Sequence, residues 1–382
     1  MINAFSIAIG LLLILLSLIT PLLNPFFRKV RKSDIKDSDD GYTGTESDIS
    51  VLLLAYDEPQ ELQNCISAIL EQNYNHNLEI IVIIEKGDAY AENILSGFHD
   101  DKRIYVTFIP SRSLFMSRQK LAISLGVKAA HNEWITVIKS TDRPVSSNWL
   151  SSLSKHFNKE TSLVIGYANY EQDTKSYYRF LHLRNLLYLF NIAQHNTAYR
   201  AGSPNIAFRK TMFINGDGYR DNLQLIHGEF DFIINKYARK GNTSIEISPD
   251  AFIREEKPTK KEWNNKQIAL FYMSKILNRT LSCKIRYATD LFMMYINYIA
   301  IIAILIYSSI YKNYLLLSVS ALAFILTIIL RTIIAKKTFK QYKEHISCIK
   351  VIPYEISLLF HDLRSLFKYW ASDKNDFTTH KV

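Results

Sequence analysis

The sequence predicts an α/β protein in which a doubly wound sheet domain is flanked by three transmembrane helices and followed by an amphipathic helix. Three observations carry that expectation. Long uncharged apolar stretches open the chain and recur after residue 290. Between them, short β-prone runs alternate with segments of helical periodicity. Lysine and arginine cluster beside the apolar stretches rather than along a face of the middle region.

The first stretch, Ile7 to Phe27, holds no charge and is long enough to cross a hydrocarbon core of roughly 30 Å. A cleaved signal peptide is the rival reading. The segment has no basic leading region and no A-x-A site, and it ends in FFRKVRK, which favours an uncleaved anchor. A second span is expected from Leu291 to Ile310 and a third from Tyr314 to Ala335, with Arg331 near enough to its end to snorkel. The net charge of +10 collects at Arg28, Lys29, Arg31 and Lys32, at Arg279, Lys284 and Arg286, and at Arg331, Lys336, Lys337, Lys340 and Lys343. This is the positive-inside pattern beside an anionic leaflet and argues against nucleic acid as a partner. It predicts a multi-pass protein of an inner or plasma membrane. The N-terminus would lie outside, the middle domain in the cytosol, and an outer turn at Tyr311-Lys312-Asn313.

The implied division is an anchor over 1–28, a linker over 29–47, a cytosolic domain over 48–285, two membrane helices over 286–336 and a tail over 337–382. In the tail, Ile356, Leu359, Phe360, Leu363, Leu366, Phe367 and Trp370 follow helical spacing. Glu355, His361, Asp362, Arg364 and Lys368 take the other face. An amphipathic helix starting just after Pro353 is expected, either lying in the membrane interface or packed on the cytosolic domain. The cysteines Cys65, Cys283 and Cys348 are far apart and in no CxxC pair, which makes a disulfide framework or structural zinc unexpected.

In the middle domain, Ile49 to Ala55 is a continuous β-prone run, as expected of a strand buried on both faces. A helix over Gln60 to Gln72 follows, then strands at Glu79 to Ile84 and Tyr105 to Ile109, a helix over Arg118 to Ala130, and a strand at Trp134 to Ile138. Strands alternating with helices predict parallel pairing, and ligands of such sheets sit beyond the carboxyl ends of the strands. Candidate chemistry therefore falls at Tyr56-Asp57-Glu58, at Glu85 to Asp88 and at Lys139 to Asp142.

These positions carry a resemblance. VLLLAYDEPQELQNCISAILEQNY followed by NLEIIVIIEKGD is similar to the opening of a family 2 glycosyltransferase. SRQKLAISLGVKAAHNEWITVIKSTDRPVSSNWL resembles the stretch bearing that family's DxD motif. SPNIAFRKTMFINGDGY, HGEFDFIINKYARKGNTSIEISPDA and KEWNNKQIALFY are similar to the acceptor-side half of membrane-bound members. The resemblance implies a GT-A-like mixed sheet, a nucleotide-sugar donor and a lipid-linked or glycan acceptor. It also implies contact with membrane lipids, and an oligomer or partner glycosyltransferase. It places donor-binding duties on Tyr56, Glu58, Glu85 or Asp88, and Lys139, and a Mg or Mn ion on Asp142. The base falls on Asp231 or Glu229, and the acceptor side on Trp263 and Gln267.

The chemistry calls for carboxylates: a cation-binding pair to stabilise the diphosphate, and a base for the acceptor hydroxyl. Several are replaced. The strand-two acidic pair falls on Ile84-Glu85, and the DxD motif on Lys139-Ser140-Thr141, with Asp142 one residue late. The acceptor motif reads Gly228-Glu229-Phe230-Asp231, and the motif after Trp263 reads Asn264-Asn265-Lys266-Gln267, without its arginine. Lys139 either neutralises a diphosphate directly or merely snorkels at a strand end. Two functions follow: a membrane-anchored glycosyltransferase whose ion site is weakened, or an inactive relative acting as scaffold or regulator in envelope glycan synthesis.

Overall fold

In the computed structural model the described residues are 4–28, 30, 48–57, 59–113 and 115–378. They form two compact units. One gathers the N-terminal helix, Lys175–Asn191 and Arg279–Arg364; the other comprises Val30–Thr174, Ile192–Asn278 and Ser365–Val382.

The second unit is built on ten strands: β1 (Ile49–Leu54), β2 (Leu78–Glu85), β3 (Ile104–Ile109), β4 (Trp134–Lys139), β5 (Arg143–Pro144), β6 (Leu163–Gly166), β7 (Ala168–Tyr170), β8 (Ile206–Arg209), β9 (Thr243–Glu246) and β10 (Ile253–Glu255). Seven make a sheet in the order β3-β2-β1-β4-β8-β6-β9, and three make a smaller one in the order β5-β10-β7. β1, β2, β3 and β4 are parallel, as their near-continuous apolar composition requires. β8 then runs antiparallel to both β4 and β6, so the sheet is mixed. The order reverses between β1 and β4, whose last residues Leu54 and Lys139 stand side by side. That reversal opens a crevice where neighbouring connections leave in opposite directions.

A buried asparagine ties the two sheets. The Asn205 side chain donates to Tyr167 O at 3.0 Å and to Ala251 O at 2.7 Å, and accepts from Trp149 Nε1 at 3.1 Å. A buried amide is tolerable only when its valences are filled in this way.

The first unit holds three helices long and apolar enough to cross a membrane: Ala4–Leu23, Leu281–Ile310 and Tyr314–Gln341. The last two join through Tyr311-Lys312-Asn313, as expected, with Lys312 in the left-handed region at φ 51°. Small polar side chains link all three: Ser17 Oγ donates to Asn297 Oδ1 at 3.2 Å, and Asn297 Nδ2 to Thr327 Oγ1 at 3.0 Å. Away from water, such bonds replace the missing hydrophobic drive between helices.

Two expectations need correction here. Arg331 does not snorkel. Its guanidinium turns inward, 1% exposed, to pair with Glu355 at 3.0 Å and donate to Thr20 O at 3.3 Å. Glu355, placed above on the face opposite the apolar row, is fully buried and also accepts from the Asn24 amide. The physical reason is mutual: each charge is the partner that makes burial of the other bearable. The helix itself spans Val351–Ala371 and begins two residues before Pro353, which sits in its first turn where no intrahelical donor is needed.

Candidate active site

Three strand ends converge. At the end of β1, the Tyr56 ring lies under the Arg118 guanidinium, 5.0 Å from its centroid. Arg118 also pairs with Asp57 at 3.3 Å and with Glu85, at the end of β2, at 2.6 Å. Burial raises the Asp57 carboxyl above its ordinary value, against the pull of Arg118 and Lys139. Arg118 is a functional candidate that sequence reasoning passed over. Its signal is weak but real: an arginine at the first position of helix Arg118–Ala129 opposes the helix dipole unless a carboxylate compensates.

The turn after β4 is held by backbone bonds, Ser140 N to Leu54 O at 3.0 Å and Asp142 N to Lys139 O at 3.1 Å. It lines a cleft of about 340 Å³ together with Tyr56, Asp57, Tyr170, Glu255 and Lys266. Three lysines line this cleft. Lys257 pairs with Asp173 at 2.8 Å and Lys266 with Glu255 at 3.1 Å, whereas the Lys139 ammonium has neither hydrogen bond nor ion pair among the described residues. Asp142 is 4% exposed. Burial, reinforced by Glu255, pushes its carboxyl up to about 7 despite Lys139 and Lys266 nearby.

The acidic motif of the acceptor half opens helix Glu229–Tyr237. Gly228 before it has φ 89°, in the left-handed region that favours glycine. Asp231 is fully engaged: it accepts from Arg200 Nε at 2.7 Å and from the backbone of Ala201 at 3.1 Å and Gly202 at 3.0 Å. Glu229 is not. Its Oε2 is buried without a hydrogen-bond partner among the described residues. Its charge reaches Tyr56, Lys120 and Tyr219.

The remaining candidates divide. Asp88 caps helix Ala89–Ser96, its Oδ1 accepting from Tyr90 N at 3.1 Å and Ala91 N at 3.0 Å. Trp263 is buried with its ring edge-on to Tyr170 at 5.9 Å. Gln267 does not line the cleft, whereas Lys266, one position earlier, does. Glu58 lies outside the described residues.

The divalent ion implied by the resemblance was tested against these residues. Among the described residues no three carboxylate, histidine or cysteine side chains converge on one point. At the motif's first position stands an ammonium within electrostatic reach of both Asp57 and Asp142. A cation would be opposed there by Lys139, so the residues do not reproduce the family's ion site.

A mixed sheet with its cleft at the carboxyl ends of β1 and β4 makes the domain GT-A-like in fold, and among the described residues the same chain has three helices long and apolar enough to span a membrane. The family model for Glycosyl transferase family 2 matches residues 50–217 of the chain. Among solved structures it is similar to the mannosyltransferase PcManGT from Pyrobaculum calidifontis, in complex with GDP-Man and Mn2+. The identity is 14%, the match covers 93% of this chain and 99% of that one, and the TM-score is 0.48. It is also similar to S. aureus TarS residues 1–349 in complex with UDP-GlcNAc, at 12% identity over 56% of this chain and 60% of that one, TM-score 0.41. No curated protein matches the chain in sequence.

Proposed function

We propose that this protein transfers a sugar from a nucleotide-sugar donor to a lipid-linked or polysaccharide acceptor at the cytosolic face of an inner or plasma membrane. One observation carries the reading: inside the family 2 segment, the cleft at the ends of β1 and β4 presents an unpaired ammonium, Lys139, where the donor diphosphate belongs. The Tyr56 ring and the Arg118 guanidinium form a wall for the nucleotide, with Asp57 and Glu85 holding Arg118 in place. Glu229 is the base, because its carboxylate has an oxygen to spare and Asp231 has none. As the acceptor hydroxyl forms its bond to the anomeric carbon, its proton passes to Glu229. The bond to the diphosphate oxygen breaks, and Lys139 faces the charge that develops on the leaving group. Trp263 and Gln267 remain the acceptor-side candidates.

The engagement of Asp231 and the lysine at the ion position also favour a second reading, an inactive glycosyltransferase relative that scaffolds an active partner in envelope glycan synthesis. A thermal-shift series on detergent-purified protein separates the two. With UDP, GDP, TDP, CMP and their sugars, each with and without Mn²⁺, a ligand at 100 times its dissociation constant stabilises by about 2.7 kcal/mol. Stabilisation by one nucleotide without Mn²⁺, lost in Lys139→Met, is expected. Folded protein that responds to none of them supports the scaffold. Activity appearing only after Lys139→Asp, Thr141→Asp and Phe230→Asp would do the same.

A further inference from the structure

The residues that lead into Glu229 have little regular structure of their own. From Tyr219 to Gly228 there is one short 3-10 turn, Arg220–Asn222, before the left-handed Gly228 opens helix Glu229–Tyr237. A loop without its own ladder of backbone bonds opens easily. A base, however, works only when held in near-attack geometry, where a shift of about 1 Å is costly. The bonds this loop does not make with itself come from two other parts of the second unit. One is helix Arg118–Ala129, from which the Lys120 ammonium donates to Asn222 O and Leu225 O at 2.7 Å each.

The other is the segment that follows helix Val351–Ala371 and turns back onto the loop. Ile226 N donates to Phe377 O at 3.0 Å, and Leu225 forms an antiparallel bridge with Thr378. The segment is braced in its turn. Lys374–Phe377 is a 3-10 turn started by Asp373, whose Oδ1 accepts from Asn375 N at 3.0 Å. Phe377 anchors it: the ring is 7% exposed and stacks on Tyr272 with centroids 4.5 Å apart and planes 14° from parallel. The next residue of that helix, Met273, packs against Gly228. Helix Lys260–Ile276 thus grips the segment with one side chain and the residue before Glu229 with the next. Burying Phe377 alone would be satisfied by many placements, because apolar contact is non-directional. The main-chain bonds at Leu225 and Ile226 are directional and fix one placement of the loop.

We propose that residues 373–378 are a strap that sets the position of Glu229, with Phe377 as a positioning residue for the transfer. The inference rests on the reading of Glu229 as base. Its test compares the full chain with Phe377→Ala and Phe377→Tyr in nanodiscs, with the UDP, GDP, TDP and CMP sugars as donors and polyprenyl phosphate as acceptor. Phe377→Ala should lower kcat by about 10- to 100-fold, with the donor KM changed by less than about twofold, because the donor cleft lies at the ends of β1 and β4. Phe377→Tyr keeps the ring and should restore kcat. Amide exchange over residues 223–230 should quicken by about tenfold in Phe377→Ala, with no change over Ile49–Leu54. Unchanged exchange over residues 223–230 overturns the proposal, as does faster exchange with a native kcat. Faster exchange that extends to Ile49–Leu54, with donor KM rising as kcat falls, also overturns it, because the ring then serves general packing. Native protein that turns over no donor sinks the reading of Glu229 as base and this role with it. Active native protein with an equally active Phe377→Ala sinks the strap alone.

Discussion

Glu229 and Asp231 lie two positions apart at the start of one helix, yet their carboxylates are in opposite chemical situations. Asp231 spends its lone pairs on Arg200 and two backbone amides, and Glu229 keeps an oxygen free. Glu229→Gln should therefore lower kcat by about 10²–10⁴-fold with little change in melting temperature. Asp231→Asn should instead cost roughly 1–3 kcal/mol of stability, through the donors it leaves unpaired. Steady-state kinetics beside thermal melts of both variants would reverse the assignment if the two effects were exchanged. Lys120 makes a second residue-scale case. Its ammonium is fully buried, donates to Asn222 O and Leu225 O at 2.7 Å each, and lies 4.6 Å from the Phe232 ring centroid. Burial holds it down, at about 8, from an ordinary 10.5, although Glu229 pulls the other way. Because the folded value is the lower one, the unfolded chain keeps its proton longer, and stability rises with pH between about 8 and 10.5. The stability gap between native protein and Lys120→Met should accordingly widen from pH 8 to pH 10, as melts across that range would show.

The helix Val351–Ala371 shows at the scale of an element what periodicity can and cannot say. Its amphipathic pattern is visible in the sequence, and the apolar row Ile356, Leu359, Phe360, Leu363, Phe367 and Trp370 is a real face of the helix. Periodicity alone does not say which face turns inward. Here the inner face carries Glu355, held by Arg331 and Asn24, and the apolar row is exposed. Removing one member of the buried pair strands the other. Glu355→Gln and Arg331→Met should each cost about 3–5 kcal/mol, whereas replacing both with apolar residues of similar volume should cost much less. Melts of the two single variants and the double variant in detergent form the cycle. Simple additivity of the single costs would deny the pairing.

For the molecule as a whole, the basic clusters make a prediction independent of chemistry. A cysteine introduced by Lys312→Cys, in the turn between the last two apolar helices, should react with a membrane-impermeant maleimide on intact cells. One introduced by Lys337→Cys should react only after permeabilisation. The opposite labelling would turn the proposed orientation over and place the cleft outside.

Much of this architecture is legible in the chain itself because it rests on local properties. An uncharged stretch of membrane length, a strand buried on both faces and a turn at Lys312 each follow from a short run of residues. So does the absence of a carboxylate at Lys139, Ser140 and Thr141, which needs only their identities. What the tertiary structure alone decided are pairings between residues distant in sequence. It joined Arg118 to Asp57 and Glu85, took Asp231 out of play through Arg200, and turned Arg331 inward to Glu355. Charges interact through space with a strength set by distance and burial, and neither quantity can be read from order along the chain.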